Sequence, residues 1–277
     1  MTRTITVAHS PDSDDAFMFY ALAKGKVDTR GYRFEHVLKD IETLNREAIK
    51  GTYDITAVSF HAYYKIRKQY RLMTAGASVG DGYGPLVVSK RSMTPQDLEE
   101  ATVAVPGELT TAFLVFRLLA PQARWKVMPF DRIQDAVAKG DIDAGLLIHE
   151  GQLTYREQKL HRVADLGEWW KGETSLPLPL GGNALRRSLD KKAASACCDV
   201  LRDTVQYALD HRQDALDHAL SYARGMDRKK ADRFVGMYVN GYTIELGERA
   251  EQAISLLYKL GYDAKLIPVR LEPEFIG

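Results

Sequence analysis

Strand-type and helix-type segments alternate along most of this 277-residue chain, and that alternation constrains its fold more than any other feature. "ITVAHS" is a short β-rich run. "SDDAFMFYALAKG" then has helical character over residues 13–25. Ser13 is placed to cap it, Asp14 and Asp15 suit the positive end of its dipole, and Gly25 ends it. "YRFEHVL" and "YDITAVSF" are further strands. The helix "DIETLNREAIKG" between them carries Ile41, Leu44, Ala48 and Ile49 on one face. A second series follows: strand "ATVAVPG", helix "TTAFLVFRLLA", strand "WKVMPF", helix "DRIQDAVAKG", strand "DIDAGLLIH", helix "GQLTYREQKL" and strand "HRVADL". Helical patterns then run over 189–211, 212–224, 228–240 and 246–260. Such alternation predicts an α/β fold with a parallel sheet and helices packed on its faces.

The length suits two medium domains, each with its own core. "AIKGTYDITAVSFHAYY" and "AVAKGDIDAGLLIHEGQ" share one pattern of helix, Lys-Gly, Asp, apolar strand and polar residue, with Ser59 falling opposite His149. This echo suggests two similar lobes. "SLPLPLGGNAL" has the character of a strand returning from the second lobe to the first. The expected division is a larger discontinuous lobe, 1–90 and 177–277, and a smaller one, 91–176. Two crossing segments near 84–92 and 175–184 would form a hinge able to close over a ligand.

Hydrophobic residues make up 45%, charged residues 27%, and the net charge is +1. This balance points to neither a nucleic-acid nor a membrane-surface partner. The apolar stretch at the start is too short for a signal-peptide core, and no window approaches the ~18 apolar residues of a membrane span, so a cytoplasmic protein is expected. Cys197 and Cys198 are adjacent in a helical pattern and have no metal-ligand spacing. "GDGYG" lacks the strand–turn–helix setting of a dinucleotide loop, so neither a metal nor a cofactor is expected. The oligomeric state stays open.

In open parallel sheets, ligands sit beyond the carboxyl ends of the strands. The first strand delivers Ser10 there, the third Ser59, and the second series delivers Thr110 and Thr111 at a helix start. Each of these taken singly is better explained as a helix cap; their coincidence on one rim with His149 favours a site for a small anion. His149 follows the apolar "GLLI" and opens a helix. A helix N-terminus and partial burial both favour the neutral ring, the form required of a general base. His9 is the reserve candidate.

"SPDSDDAFMFYAL", "DIETLNREA", "GYGPLVVSK", "VAVPGELTTAF", "DAGLLIHEGQLTY" and "LPLPLGG", in this order over nearly the whole chain, resemble the 1,4-dihydroxy-6-naphthoate synthases of the futalosine route to menaquinone. The resemblance implies a two-lobed periplasmic-binding-protein-like type II fold. It also implies a cofactor-independent lyase acting on cyclic dehypoxanthinyl futalosine, with His149 as the base. Substrate contacts would come from Ala57, Val58 and Ser59, and from Thr110 and Thr111, with Ser10 beside them on the rim. The family's usual opening is Ser-Pro-Cys-Pro-Asn-Asp-Thr-Phe; here Asp12 and Asp14 replace the cysteine and the asparagine. Two other readings suit the same fold. One is a solute-binding protein for a small carboxylate; the other is the related chorismate dehydratase, which the "IHE" block disfavours.

Overall fold

The computed structural model describes residues 3–223 and 225–277. Its strands are β1 (Thr4–His9), β2 (Arg33–Leu38), β3 (Ile55–Ser59), β4 (Tyr70–Met73), β5 (Ser78–Gly80), β6 (Leu86–Ser89), β7 (Thr102–Val105), β8 (Arg124–Val127), β9 (Ala144–Leu147), β10 (His161–Asp165), β11 (Leu178–Arg186) and β12 (Phe275–Ile276). They form two sheets. A seven-stranded sheet runs β12-β4-β11-β3-β1-β2, with β5 paired to β11; a five-stranded sheet runs β10-β6-β9-β7-β8.

Each sheet is mixed, where the alternation predicts a parallel one. β1 runs parallel to β2 and β3, and β7 to β8 and β9. β11 is antiparallel to β3, β4 and β5, and β6 is antiparallel to β9 and β10. The parallel pairs arise where a helix carries the chain back to the same sheet edge. β6 and β11 instead come over from the opposite sheet, β6 through a short loop after Gly80 and β11 after the helix Leu166–Thr174. β6 pairs in the five-stranded sheet although the sequence division kept residues up to 90 in the larger lobe. We therefore propose that the first crossing lies between Gly80 and Leu86, and the second between Asp165 and Leu178.

Burial explains which strands are central. All five residues of β3 are buried, whereas β2, at an edge, alternates exposed and half-buried residues. The helix Lys191–Asp210 is capped by Asp190, whose carboxylate accepts from the Ala193 N–H. It buries Ala193, Cys197, Val200 and Leu201 in one core with Ile5 and Val7 of β1 and Ile55 of β3. Burial pushes the Cys197 thiol up to about 12 and the Cys198 thiol up to about 11, so neither ionises near neutrality.

Local differences have physical causes. Residues 13–25 form two short helices, Ser13–Met18 and Tyr20–Ala23, which meet at Phe19. Asp12, not Ser13, occupies the N-cap position. "GQLTYREQKL" is one helical turn, Gly151–Thr154, followed by a 3₁₀ turn, Tyr155–Gln158. The placing of β9 depends on Gly145: a Cβ there would lie 2.5 Å from Cγ2 of Ile133 and 2.8 Å from Cγ2 of Val137. Only glycine lets the helix Phe130–Lys139 lie this close to the strand that leads to His149.

Candidate active site

A cleft opens at the carboxyl ends of β1, β3 and β9, with Ser10, Ser59 and His149 on its wall. The seven-stranded sheet contributes Ser10, Ala57, Val58 and Ser59 to its wall, and the chain of the five-stranded sheet contributes Thr110, Thr111 and His149. The structure thus gathers every site residue expected from the sequence around one cavity.

The hydroxyl side is more committed than sequence alone suggests. Ser59 is gripped by the buried Asn45: the Ser59 N–H donates to Asn45 Oδ1 at 2.8 Å, and Asn45 Nδ2 donates to Ser59 Oγ at 3.0 Å. Ser59 Oγ therefore accepts, which leaves its own proton to offer a ligand. Thr110 Oγ1 donates to Gly107 O at 2.9 Å and accepts from the Phe113 N–H at 3.1 Å, an N-cap of the helix Thr111–Leu119. Thr111 Oγ1 donates to Leu180 O at 2.5 Å and accepts from the His61 N–H at 3.1 Å. Both threonine protons are already in use. The donors that remain at this helix start are its first-turn backbone N–H groups, at Thr111 and Ala112, both on the cavity wall.

Opposite lie acidic side chains. Asp15 Oδ2 accepts from the Ser10 N–H at 2.7 Å. Burial pushes the Asp15 carboxyl up to about 6, against the pull of the Ser10 bond. Asp14 is pushed well above the usual carboxylate range by burial first and then by Asp15, Asp12 and Glu150. Asp12, Asp14 and Asp15 all line the cleft, and no lysine or arginine does so among the described residues. An anionic ligand would have to be held by dipoles, at the end away from these carboxyls.

His149 lies two residues beyond β9, and its carbonyl accepts from the Gln152 N–H at 2.9 Å. Its side chain is 14% exposed. Nδ1 lies 3.2 Å from Asp12 Oδ2, and the Phe130 ring meets the imidazole edge-on with centroids 4.3 Å apart. Nε2 is buried and has no hydrogen-bond partner among the described residues. His9, the reserve candidate, belongs to the core instead. It is 5% exposed, stacks on Phe19, and its two nitrogens lie 3.0 Å from Ser10 O and from His36 Nδ1.

Further contacts join the two sides of the cleft. Leu109 N donates to Glu42 Oε2 at 3.2 Å, and a Cβ on Gly107 would sit 2.3 Å from that same oxygen. Tyr238, which lines the cleft, donates to Gln152 Oε1 at 2.6 Å. Sequence reasoning missed Tyr238, Asn183 and the Leu180–Gly182 backbone as parts of the wall. Their segments carry no local chemical signal, and only the return of β11 beside β3 brings the last two there.

The "Menaquinone biosynthesis" family model matches residues 5–263. The chain is 39% identical over 256 residues to a 1,4-dihydroxy-6-naphthoate synthase of Thermus thermophilus, covering 92% of this chain and 93% of that one. It is also similar to a solved protein of Archaeoglobus fulgidus, with 47% identity and a TM-score of 0.92, covering 95% of this chain and 98% of the other. An alkanesulfonate-binding protein of Xanthomonas axonopodis has the same fold at 12% identity, with a TM-score of 0.75 over 97% of this chain and 96% of its own. That last likeness makes the architecture a two-lobed periplasmic-binding-protein-like one and carries nothing about the ligand.

Proposed function

The chain belongs to the menaquinone biosynthesis family, and from that membership we propose that it is a cytoplasmic carbon–carbon lyase which converts cyclic dehypoxanthinyl futalosine to 1,4-dihydroxy-6-naphthoate. The observation that carries the reading is the pairing of a histidine having an open, buried nitrogen with a helix start facing the same cleft. His149 Nε2 takes the proton of a substrate hydroxyl. The resulting alkoxide becomes a carbonyl as the adjacent carbon–carbon bond breaks. The released electron pair passes into the ring, which takes up the proton held on His149 and gains aromaticity as the three-carbon fragment leaves. This scheme draws on no cofactor.

The substrate carboxylate is held by the first-turn N–H groups at Thr111 and Ala112, with the Ser59 hydroxyl beside them. Ala57 and Val58 supply shape and backbone. Ser10 lies at the acidic end, where Asp14 and Asp15 meet substrate hydroxyls as hydrogen-bond partners. Closure of the lobes excludes water from the carbanionic intermediate. A positioned base contributes ~10²–10⁴-fold in rate.

The test is incubation of the purified protein with cyclic dehypoxanthinyl futalosine while naphthoate absorbance is followed. Stoichiometric appearance of 1,4-dihydroxy-6-naphthoate is expected. Tight binding of a small carboxylate with no turnover would overturn the lyase reading and favour a solute-binding protein.

A further inference from the structure

We propose that Asp12 is a positioning residue that fixes the tautomer of His149 from across the cleft. The inference rests on the reading of His149 as the base and adds what makes it one.

The first support is a diverted cap. Asp12 has the extended backbone of an N-cap, and its carbonyl accepts from the Ala16 N–H at 2.9 Å. Aspartate at this position ordinarily turns its carboxylate back onto the first-turn N–H groups. Asp40, Asp165, Asp190 and Asp227 all do so in this chain. Asp12 makes no such bond. It is 3% exposed, and its Oδ2 lies 3.2 Å from His149 Nδ1.

The second support is the asymmetry of the ring. A neutral imidazole has one N–H and one lone pair. A carboxylate beside Nδ1 selects the Nδ1–H tautomer and puts the lone pair on Nε2. Nε2 is the nitrogen that lacks a partner among the described residues. Phe130 fixes the plane of the ring edge-on. When the substrate proton moves to Nε2, the Nδ1–H stays in place, and the imidazolium is held between the new alkoxide and the carboxylate. A buried aspartate plays the same role behind the histidine of a serine-protease triad. Asp12 follows β1 in one sheet and His149 follows β9 in the other. The pair is therefore complete only while the two lobes meet, and the base is set in the state that excludes water.

Two measurements test this. In ¹⁵N-histidine-labelled wild-type protein, with the His149 signals assigned by their loss in His149→Gln, the neutral ring should show a protonated Nδ1 and an unprotonated Nε2. Asp12→Asn should lose this pattern, and its kcat should fall ~10²–10⁴-fold with KM little changed. A wild-type ring protonated at Nε2, or an Asp12→Asn enzyme with wild-type kcat, would overturn the proposal. The wild-type spectrum needs no turnover, and the variant that assigns it leaves Asp12 in place. If the protein proved inactive on the futalosine-derived substrate, the spectrum would still decide the role of Asp12.

Discussion

The Thr111 hydroxyl donates to the carbonyl oxygen of Leu180 over 2.5 Å and so ties the helix Thr111–Leu119 to β11. The threonine pair thus joins the wall of the cleft as much as it offers a ligand surface. Thr111→Val should leave Leu180 O and the His61 N–H without their partner and destabilise the protein by about 1–3 kcal/mol. Thr111→Ser should retain most of the stability. Urea unfolding of both variants checks this; equal midpoints would contradict the tie.

Tyr238, at the end of the helix Arg228–Tyr238, and Gln152, in the turn Gly151–Thr154, meet over 2.6 Å. Gln152 Nε2 already lacks a partner among the described residues, so Tyr238→Phe leaves the whole carboxamide buried and unpaired there. A loss of about 1–3 kcal/mol is expected. Because Tyr238 also lines the cleft, KM for the substrate should rise with it. Thermal unfolding and steady-state kinetics on the same variant measure both effects.

His9 gives a pH prediction. Burial, and then its neighbour His36, hold the folded ring neutral until about 3, against an ordinary value of 6.5. Between these values the unfolded chain takes up a proton that the folded chain refuses, so stability falls as pH falls, by about 1.4 kcal/mol per pH unit. Asp15, raised to about 6 from 3.8, acts in the opposite direction between those two values. The wild-type slope is therefore a partial cancellation, and the comparison with a variant isolates His9. His9→Gln should lose less stability on acidification, with a slope smaller by about 1.4 kcal/mol per unit. Urea unfolding at several pH values between neutrality and the acid range reads this difference, and parallel curves would contradict it.

Much of this architecture is legible in the sequence because it rests on short-range signals. The β-rich run "YDITAVSF" marks β3, and the polar residue after each apolar strand marks the rim, which is how Ser59 and His149 are found together. Direction in the sheet is less legible. β6 and β11 look like any other strand, and their reversal depends on which lobe the chain has just left. Hydrogen-bond commitments are also hidden. "TTA" offers two hydroxyls on paper, and the fold uses both of their protons internally. The acidic "PDSDDAF" was visible as an oddity, yet its link to His149 required a contact between residues 137 positions apart.

His149 is the residue on which the proposed reaction turns. Its side chain is largely enclosed and its Nε2 unpartnered among the described residues, so removal of the ring should remove the base without dismantling the fold. The decisive measurement is kcat of His149→Ala on cyclic dehypoxanthinyl futalosine, with circular dichroism and melting compared with the wild type. The account predicts a folded protein whose kcat has fallen ~10²–10⁴-fold. A folded variant turning over at close to the wild-type rate would contradict it.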